Sequence, residues 1–129
     1  NMITGAATGR GNDSFSGIEN VTTGSGADVF TAAADGIANT FDAGAGTDTI
    51  NYSNITSAVT VDLFNGNATG ADIGTDTLLN FENATGGSGN DTFVSSTANN
   101  VFSGGIGVDT VSYVNATGAV NVNLATGAI

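Results

Sequence analysis

Hydrophobic residues in this chain come mostly one at a time. Triplets with an apolar centre and small or polar flanks, such as Thr92-Phe93-Val94 and Thr49-Ile50-Asn51, recur between stretches rich in Gly, Asn and Asp. Such a triplet reads as a short strand burying one side chain, because alternate residues of a strand face opposite ways. Two longer segments, 58–63 (AVTVDL) and 119–124 (AVNVNL), alternate apolar and polar residues. They predict longer strands with one inward face, ended by the turn residues Asn65-Gly66 and Thr126-Gly127. No segment of a dozen residues shows a period near 3.6, and glycine is too frequent for helices. The expectation is an all-β chain.

The apolar centres are in phase with acidic residues. Asp13, Asp28, Asp48, Asp72, Asp76, Asp91 and Asp109 all have Gly two residues before them. All but Asp72 also have a large apolar residue two positions after: Phe15, Phe30, Ile50, Leu78, Phe93 and Val111. Chance would produce this coincidence on the order of once in a thousand trials or less. Gly9, Gly24, Gly44, Gly87 and Gly105 stand four residues before five of these aspartates, and Asp72 takes that place before Asp76. The clearest run is three nonapeptides at 86–94, 95–103 and 104–112, the middle one carrying Asn100 in place of Asp.

A longer repeat overlies the short one. Residues 13–30 match 76–93 at an offset of 63, and 48–66 match 109–127 at an offset of 61, with an insertion near Ala33-Ala34-Asp35-Gly36. The chain therefore reads as one continuous fragment, 1–129, made of two tandem copies at about 13–75 and 76–129. A six-residue turn plus a three-residue strand makes a half-coil, and two half-coils close a coil of about eighteen residues. The chain is expected to wind as a parallel β-solenoid with Phe, Ile and Val stacked inside and backbone hydrogen bonds between coils. Tyr52 and Tyr113, which match between copies, are expected to pack the wider coils.

Composition narrows the function. Of 129 residues, 83 are Gly, Ala, Thr, Asn or Ser, and Cys, Pro, Trp, His, Lys and Gln are absent. Leu, Ile, Val and Phe total 30, just enough for a thin core. One Arg against ten Asp and two Glu leaves a net charge of −11, which opposes binding to nucleic acid or an anionic membrane. No apolar run approaches the roughly 18 residues of a membrane-spanning helix, so no membrane insertion is expected. No secretion signal is visible at Asn1-Met2-Ile3-Thr4. Without Cys or His, thiol chemistry, thiolate zinc sites and the usual general base are missing. The chain also has no His-Glu-x-x-His helix or serine nucleophile elbow, so it is not expected to be an enzyme.

The pattern Gly-Gly-x-Gly-x-Asp-x-(apolar)-x resembles the hemolysin-type calcium-binding repeats, or RTX repeats. The resemblance is strongest at 86–94 and 104–112, good at 8–15, 23–31 and 43–51, and weak at 71–79. It covers somewhat under half of the chain. It implies a right-handed parallel β-roll built of glycine-rich nonapeptide turns with calcium between them. It also implies type I secretion in an unfolded state, followed by folding outside the cell.

The residues ask for a hard cation independently. Calcium takes six to eight oxygens at about 2.3–2.6 Å, which Asp carboxylates and the carbonyls of glycine turns supply, whereas magnesium demands a compact octahedron. The expected ligands are Asp13, Asp28, Asp48, Asp76, Asp91 and Asp109, on turns carrying Gly24, Gly26, Gly44, Gly46, Gly87, Gly89, Gly105 and Gly107. Asp91 with Asp109, and Asp28 with Asp48, are expected to stack one coil apart. Asp13 with Asp28, and Asp76 with Asp91, need a shorter coil. Glu19 and Glu82 occupy equivalent places in those short coils and are candidates to complete sites on the opposite edge, where Asn100 and Asn39 also fall; solvated surface is the blander reading of both glutamates. A lone Asp in a turn ordinarily serves its own backbone, but six in phase point to metal on at least two of them. Asp35, Asp42 and Asp62 are expected at the surface, and the Asn-x-Thr/Ser triplets follow from composition.

The expected function is an extracellular or bacterial cell-surface calcium-binding structural module, of surface-layer, adhesin or matrix-filament type, that folds on binding Ca2+. Its partners would be calcium and identical or neighbouring modules, end to end or side by side. The alternative is the calcium-binding C-terminal repeat region of a type I-secreted enzyme or toxin. Ice binding by Thr ladders is the weakest reading, since Thr47-Asp48-Thr49 and Thr75-Asp76-Thr77 are too widely spaced to form a regular array.

Overall fold

The computed structural model describes residues 6–8, 12–14 and 16–123. Its strands are β1 (Ala6–Thr8), β2 (Asn12–Ser14), β3 (Asn20–Thr22), β4 (Val29–Thr31), β5 (Thr40–Asp42), β6 (Thr49–Asn51) and β7 (Val59–Asp62). They continue with β8 (Asn67–Gly70), β9 (Gly74–Leu79), β10 (Asn83–Thr85), β11 (Thr92–Val94), β12 (Val101–Ser103) and β13 (Thr110–Ser112). Among the described residues the fold is all-β, with no helix.

From β3 onward the chain alternates between two sheets. One is seven-stranded, ordered β13-β11-β7-β8-β9-β5-β3, and the other four-stranded, ordered β12-β10-β6-β4. Near the N-terminal end Asn20 pairs with Thr40 and Val29 with Thr49, each in parallel. Near the C-terminal end Asn83 pairs with Val101 and Thr92 with Thr110, again in parallel and again with the next strand but one. Strands of three residues suffice because each places one side chain, its central one, between the sheets. The centres Phe30, Phe41, Ile50, Ala84 and Phe93 are all buried. Phe30 packs tilted on Phe41 at 5.6 Å and edge-on to Phe81 at 5.2 Å, while Phe93 stacks on Phe102 at 5.2 Å. Tyr52 is buried in this interior as expected.

The sheets are nonetheless mixed. The segment 58–63 enters as β7 and returns through Gly66 as β8, antiparallel to it, and β9 then runs antiparallel to β8. Gly66 sits at φ 71°, and a side chain there would press on the carbonyl of Leu78. This turn conformation is open to Gly and strained for most other residues. The three-strand meander sits between β5 and β11 and stretches the intervals between parallel partners: Thr49 to Asn83, Thr40 to Thr77 and Thr60 to Thr92. The regular short coil is therefore confined to the ends of the described chain.

The meander also sets how the tandem copies relate. β3 corresponds in sequence to β10, yet β3 lies in the seven-stranded sheet and β10 in the four-stranded one. Between them the chain crosses from sheet to sheet five times, an odd number, so consecutive copies start on opposite sheets. They also interlock: β9 of the second copy pairs with β5 of the first, and β7 of the first with β11 of the second.

The copy at 119–124 differs from its match. Among its described residues, 119–123, there is no strand, although 58–63 contains β7. β7 is held by β8 on one side and β11 on the other, whereas among the described residues no strand pairs with 119–123. Tyr113, the match of buried Tyr52, is likewise 42% exposed.

Candidate functional site

Each acidic side chain of interest stands one position before a parallel-paired segment, where the chain turns from one sheet into the other. The two sheet edges carry different sets. Asp28, Asp48, Glu82 and Asn100 precede β4, β6, β10 and β12 on one edge. Glu19, Asn39, Asp91 and Asp109 precede β3, β5, β11 and β13 on the other, where Asp76 precedes the part of β9 that pairs with β5. Glu19 lies opposite Asp28 and Glu82 opposite Asp91, but the glutamates have no edge of their own: Glu82 and Asn100 share one with Asp28 and Asp48, and Glu19 and Asn39 share the other with Asp91 and Asp109. Their neighbours along each edge follow from strand register.

One hydrogen-bond arrangement repeats along both edges. The Asp48 Oδ1 accepts the backbone N–H of Asp28 at 2.7 Å, and Asp109 Oδ1 that of Asp91 at 2.9 Å. Asp91 Oδ1 accepts Val59 N–H at 2.8 Å, and Asp76 Oδ1 accepts Asn39 N–H at 2.9 Å. Glu82 Oε2 accepts Asp48 N–H at 2.9 Å. In all five cases the donor is the residue in register on the adjacent coil, where a strand begins and its first N–H would otherwise lack a partner. The carboxylates therefore tie coil to coil, not merely a turn to itself. Spacing predicts the stacking of Asp28 with Asp48 and of Asp91 with Asp109. It does not predict that the shared contact is carboxylate to backbone.

The turn glycines stack in the same order. Gly44 lies over the Gly24 carbonyl and Gly46 over that of Gly26, so closely that a Cβ on either would collide. Gly105 and Gly107 lie in the same way over Gly87 and Gly89. Backbone bonds join the turns directly, from Ala45 N–H to Gly24 O at 2.8 Å and from Ile106 N–H to Gly87 O at 2.9 Å.

The carboxylates differ in what their second oxygen meets. Asp91 Oδ2 accepts Gly87 N–H at 2.8 Å. Asp76 Oδ2 accepts the Tyr52 hydroxyl at 2.8 Å, while its Oδ1 also takes the Asn39 amide at 3.2 Å. Burial pushes the Asp76 carboxyl above the usual aspartate range, against the lowering effect of the Tyr52 and Asn39 hydrogen bonds. The Tyr52 hydroxyl is pushed well above 10.0, first by burial and then by the Asp76 charge. Asp48 is the exception: it is wholly buried, and its Oδ2 has no hydrogen-bond partner among the described residues. The equivalent of the Gly87 donor, Gly44 N–H, is turned to Asp42 Oδ1 instead, at 3.1 Å.

Two expected pairings are not formed. Asp76 faces Asn39, and β8 and β7 separate its strand from that of Asp91; the meander takes the space a short coil would need. Asp13 lies exposed in β2, opposite Ala7 in an antiparallel pair, away from Asp28. Phe15 lies outside the described residues. Asp72 accepts Ser57 N–H at 3.0 Å, a bond that holds its carboxyl below the usual range, and so braces the meander in place of a turn glycine. Asn100 accepts Ser96 N–H at 3.0 Å and gives its amide to Glu82 O at 2.8 Å, closing the degenerate turn without a carboxylate. Asp35 and Asp62 accept nearby backbone N–H groups of Ile37 and Asn65, and Asp42 also accepts the Asn80 amide at 2.7 Å.

Among the described residues no three acidic side chains converge on one point. A cation here would be held by stacked pairs of carboxylates together with turn carbonyls. The donor set fits calcium: every available ligand is an oxygen, and Asp48 Oδ2 is a buried, unpaired carboxylate oxygen of the kind that hard cations satisfy. No protein-family model and no curated protein matches the chain.

The part of the site that sequence reasoning missed is the Tyr52–Asp76–Asn39 group. A signal was present, since Asn39 stands one place before β5, Asp76 one place before the part of β9 that pairs with it, and Tyr52 recurs as Tyr113. The meander that brings them together is not encoded in the nonapeptide period.

Proposed function

We propose that the chain is an extracellular calcium-binding structural repeat module, similar to the repeat regions of surface-layer proteins, large adhesins and matrix filaments. In this reading the alternation between two parallel-paired sheets is a right-handed β-roll broadened by one meander. Calcium binds at the stacked turns of Asp28 with Asp48 and of Asp91 with Asp109. The observation that carries the reading is the buried, unpartnered Oδ2 of Asp48 beside a turn that offers only oxygens. A carboxylate in that state is costly unless something positive meets it.

The cation would offset the repulsion between carboxylates stacked a strand spacing apart and tie the turns together. Because the core is thin, much of the folding free energy would come from the metal, adding RT ln(1 + [Ca²⁺]/Kd) per site, about 2.7 kcal/mol at a hundredfold excess. Secretion in the unfolded state and folding in calcium-rich surroundings are consistent with such linkage. Titration with millimolar calcium should produce a large gain in β circular dichroism that EGTA reverses, with heat of binding by calorimetry. A spectrum and melting curve indifferent to both would overturn the proposal.

A further inference from the structure

The internal repeat specifies what fits the two outer faces of the described strands. Several residues of the second copy are exposed although their first-copy equivalents are buried. Val111 is 44% exposed against 0% for Ile50, and Tyr113 42% against 0% for Tyr52. Val120 and Val122 are 46% and 58% exposed against 1% and 0% for Val59 and Val61. The first-copy residues are covered by strands that follow them in the chain: β10 lies on β6, β9 on β5, and β11 with β8 on either side of β7. Their sequence equivalents nearer the N-terminus are β3, β2, β4 and β1.

The N-terminal end already has the shape this requires. Antiparallel β1 and β2 pair Ala6 with Ser14, Ala7 with Asp13 and Thr8 with Asn12. Shifted back by the offsets of the tandem repeat, β8 and β9 reproduce this register from Asn67 with Thr77, Ala68 with Asp76 and Thr69 with Thr75. The hairpin of the meander is thus present a second time, without the strands that flank it in the meander. The glycines agree. Among the described residues Gly24 and Gly26 have no close neighbour on the side a Cβ would occupy, whereas their equivalents Gly87 and Gly89 are pressed against the backbone of Ile55 and of Ser57 and Ala58.

We propose that the C-terminal face of one chain docks on the N-terminal face of a second copy, in the register that joins the two internal repeats. β3 of the incoming copy lies on β13, β2 lies on β12, and residues 120–123 become a strand between its β1 and β4. Polar groups match as well. Glu19 of the incoming copy accepts Asp109 N–H, as Glu82 accepts that of Asp48. Its Asp13 receives Asn100 and Tyr113, as Asp76 receives Asn39 and Tyr52. The absence of strand in 119–123 then follows, since the strands that would flank it belong to the next copy. The contact is heterologous, and its repetition in the direction in which the internal repeats already stack extends as an open filament.

Two substitutions at exposed positions block one face each: Val111→Glu on the C-terminal face and Ile18→Glu on the N-terminal face. In millimolar calcium, sedimentation velocity of the folded wild type should show association growing with concentration into rods. Each variant alone should stay monomeric, and an equal mixture should stop at a one-to-one dimer. For free chains that meet too weakly, a fused tandem joining Gly127 to Ala6 reproduces the Gly66 to Asn67 spacing. Val120 and Val122 amides of its first unit should exchange with solvent at least tenfold more slowly than in the single chain. Association by either variant alone, a mixture of variants that stays monomeric while the wild type associates, or an unprotected tandem overturns the proposal. Docking stands apart from calcium: rods without calcium binding would overturn the proposed function alone, and calcium-bound folded monomers with an unprotected tandem would overturn docking alone.

Discussion

The hydroxyl of Tyr52 donates a 2.8 Å hydrogen bond to Oδ2 of Asp76, and both groups lie in the interior. The bond joins the connection after β6 to the start of the paired part of β9, and so fixes the meander to the coil it interrupts. Tyr52→Phe would leave a buried carboxylate oxygen without a donor. Such a loss costs about 1–3 kcal/mol. Urea denaturation should show that loss for Tyr52→Phe, whereas Tyr113→Phe in the single chain should fall within about 0.5 kcal/mol of wild type, as surface changes do.

The same pair sets a pH dependence of unusual sign. The folded-state pKa of Asp76 is raised by burial, so between the ordinary aspartate value and the raised one the folded chain binds more protons than the unfolded chain. Stability from this group is therefore present below the ordinary value and lost as pH rises through the raised one. Tyr52 acts likewise at the alkaline end: its pKa is raised well above 10.0, so ionisation of the unfolded phenol weakens folding as pH climbs past that value. Asp72 has the opposite sign, its lowered pKa giving stability that is lost as pH falls. Melting temperatures in EGTA should show Asp76→Asn gaining on wild type as pH rises from 4 toward neutrality. A difference constant with pH would contradict the raised pKa.

How far the fold was legible in the sequence depends on the residue. Phe30, Ile50, Leu78 and Phe93, marked by their distance from an aspartate, are all buried, because a period of two within a triplet leaves one way to hide one side chain. The stacking of Asp48 on Asp28 and Asp109 on Asp91 was legible for the same reason: equal spacing places equal residues in register. Asp76 misleads. Its nonapeptide spacing points to Asp91, but the strands of the meander lie between them, and antiparallel return through Gly66 depends on non-local pairing that a local period does not carry. Segment 119–124 has the alternation of 58–63 but no flanking strands, so the pattern alone does not make its described part a strand.

Glycines at matching motif positions should respond differently to the same change. In Gly46→Ala the new Cβ would collide with the Gly26 carbonyl, a backbone atom unable to move aside without separating the coils. Among the described residues Gly26→Ala meets only Asp28 Oδ1, at 4.0 Å, and its φ lies outside the left-handed region. Reduced freedom in the unfolded chain should make Gly26→Ala neutral or stabilising by about 0.4–1 kcal/mol, while Gly46→Ala should destabilise by more than that. Thermal melts at low protein concentration, where chains do not meet, check the contrast. Equal losses in the two variants would show that motif glycines serve their own turns and not the stacking of one turn on the next.

Asp48→Asn separates the cost of the buried charge from its use. The amide can still accept Asp28 N–H through its oxygen, as the carboxylate does at 2.7 Å, while the charge at the unpartnered position disappears. Without metal the charge is a liability, so in EGTA the variant should be as stable as wild type or more so. With metal the charge becomes a ligand, so in millimolar calcium the order should reverse, by about 2.7 kcal/mol at a hundredfold excess over Kd. Asp62→Asn, at a carboxylate bonded to Asn65 in an exposed turn, should show no such reversal. The crossing of the two stability orders is the decisive observation, because a carboxylate that merely ties one coil to the next would lose or keep its contribution equally in both buffers.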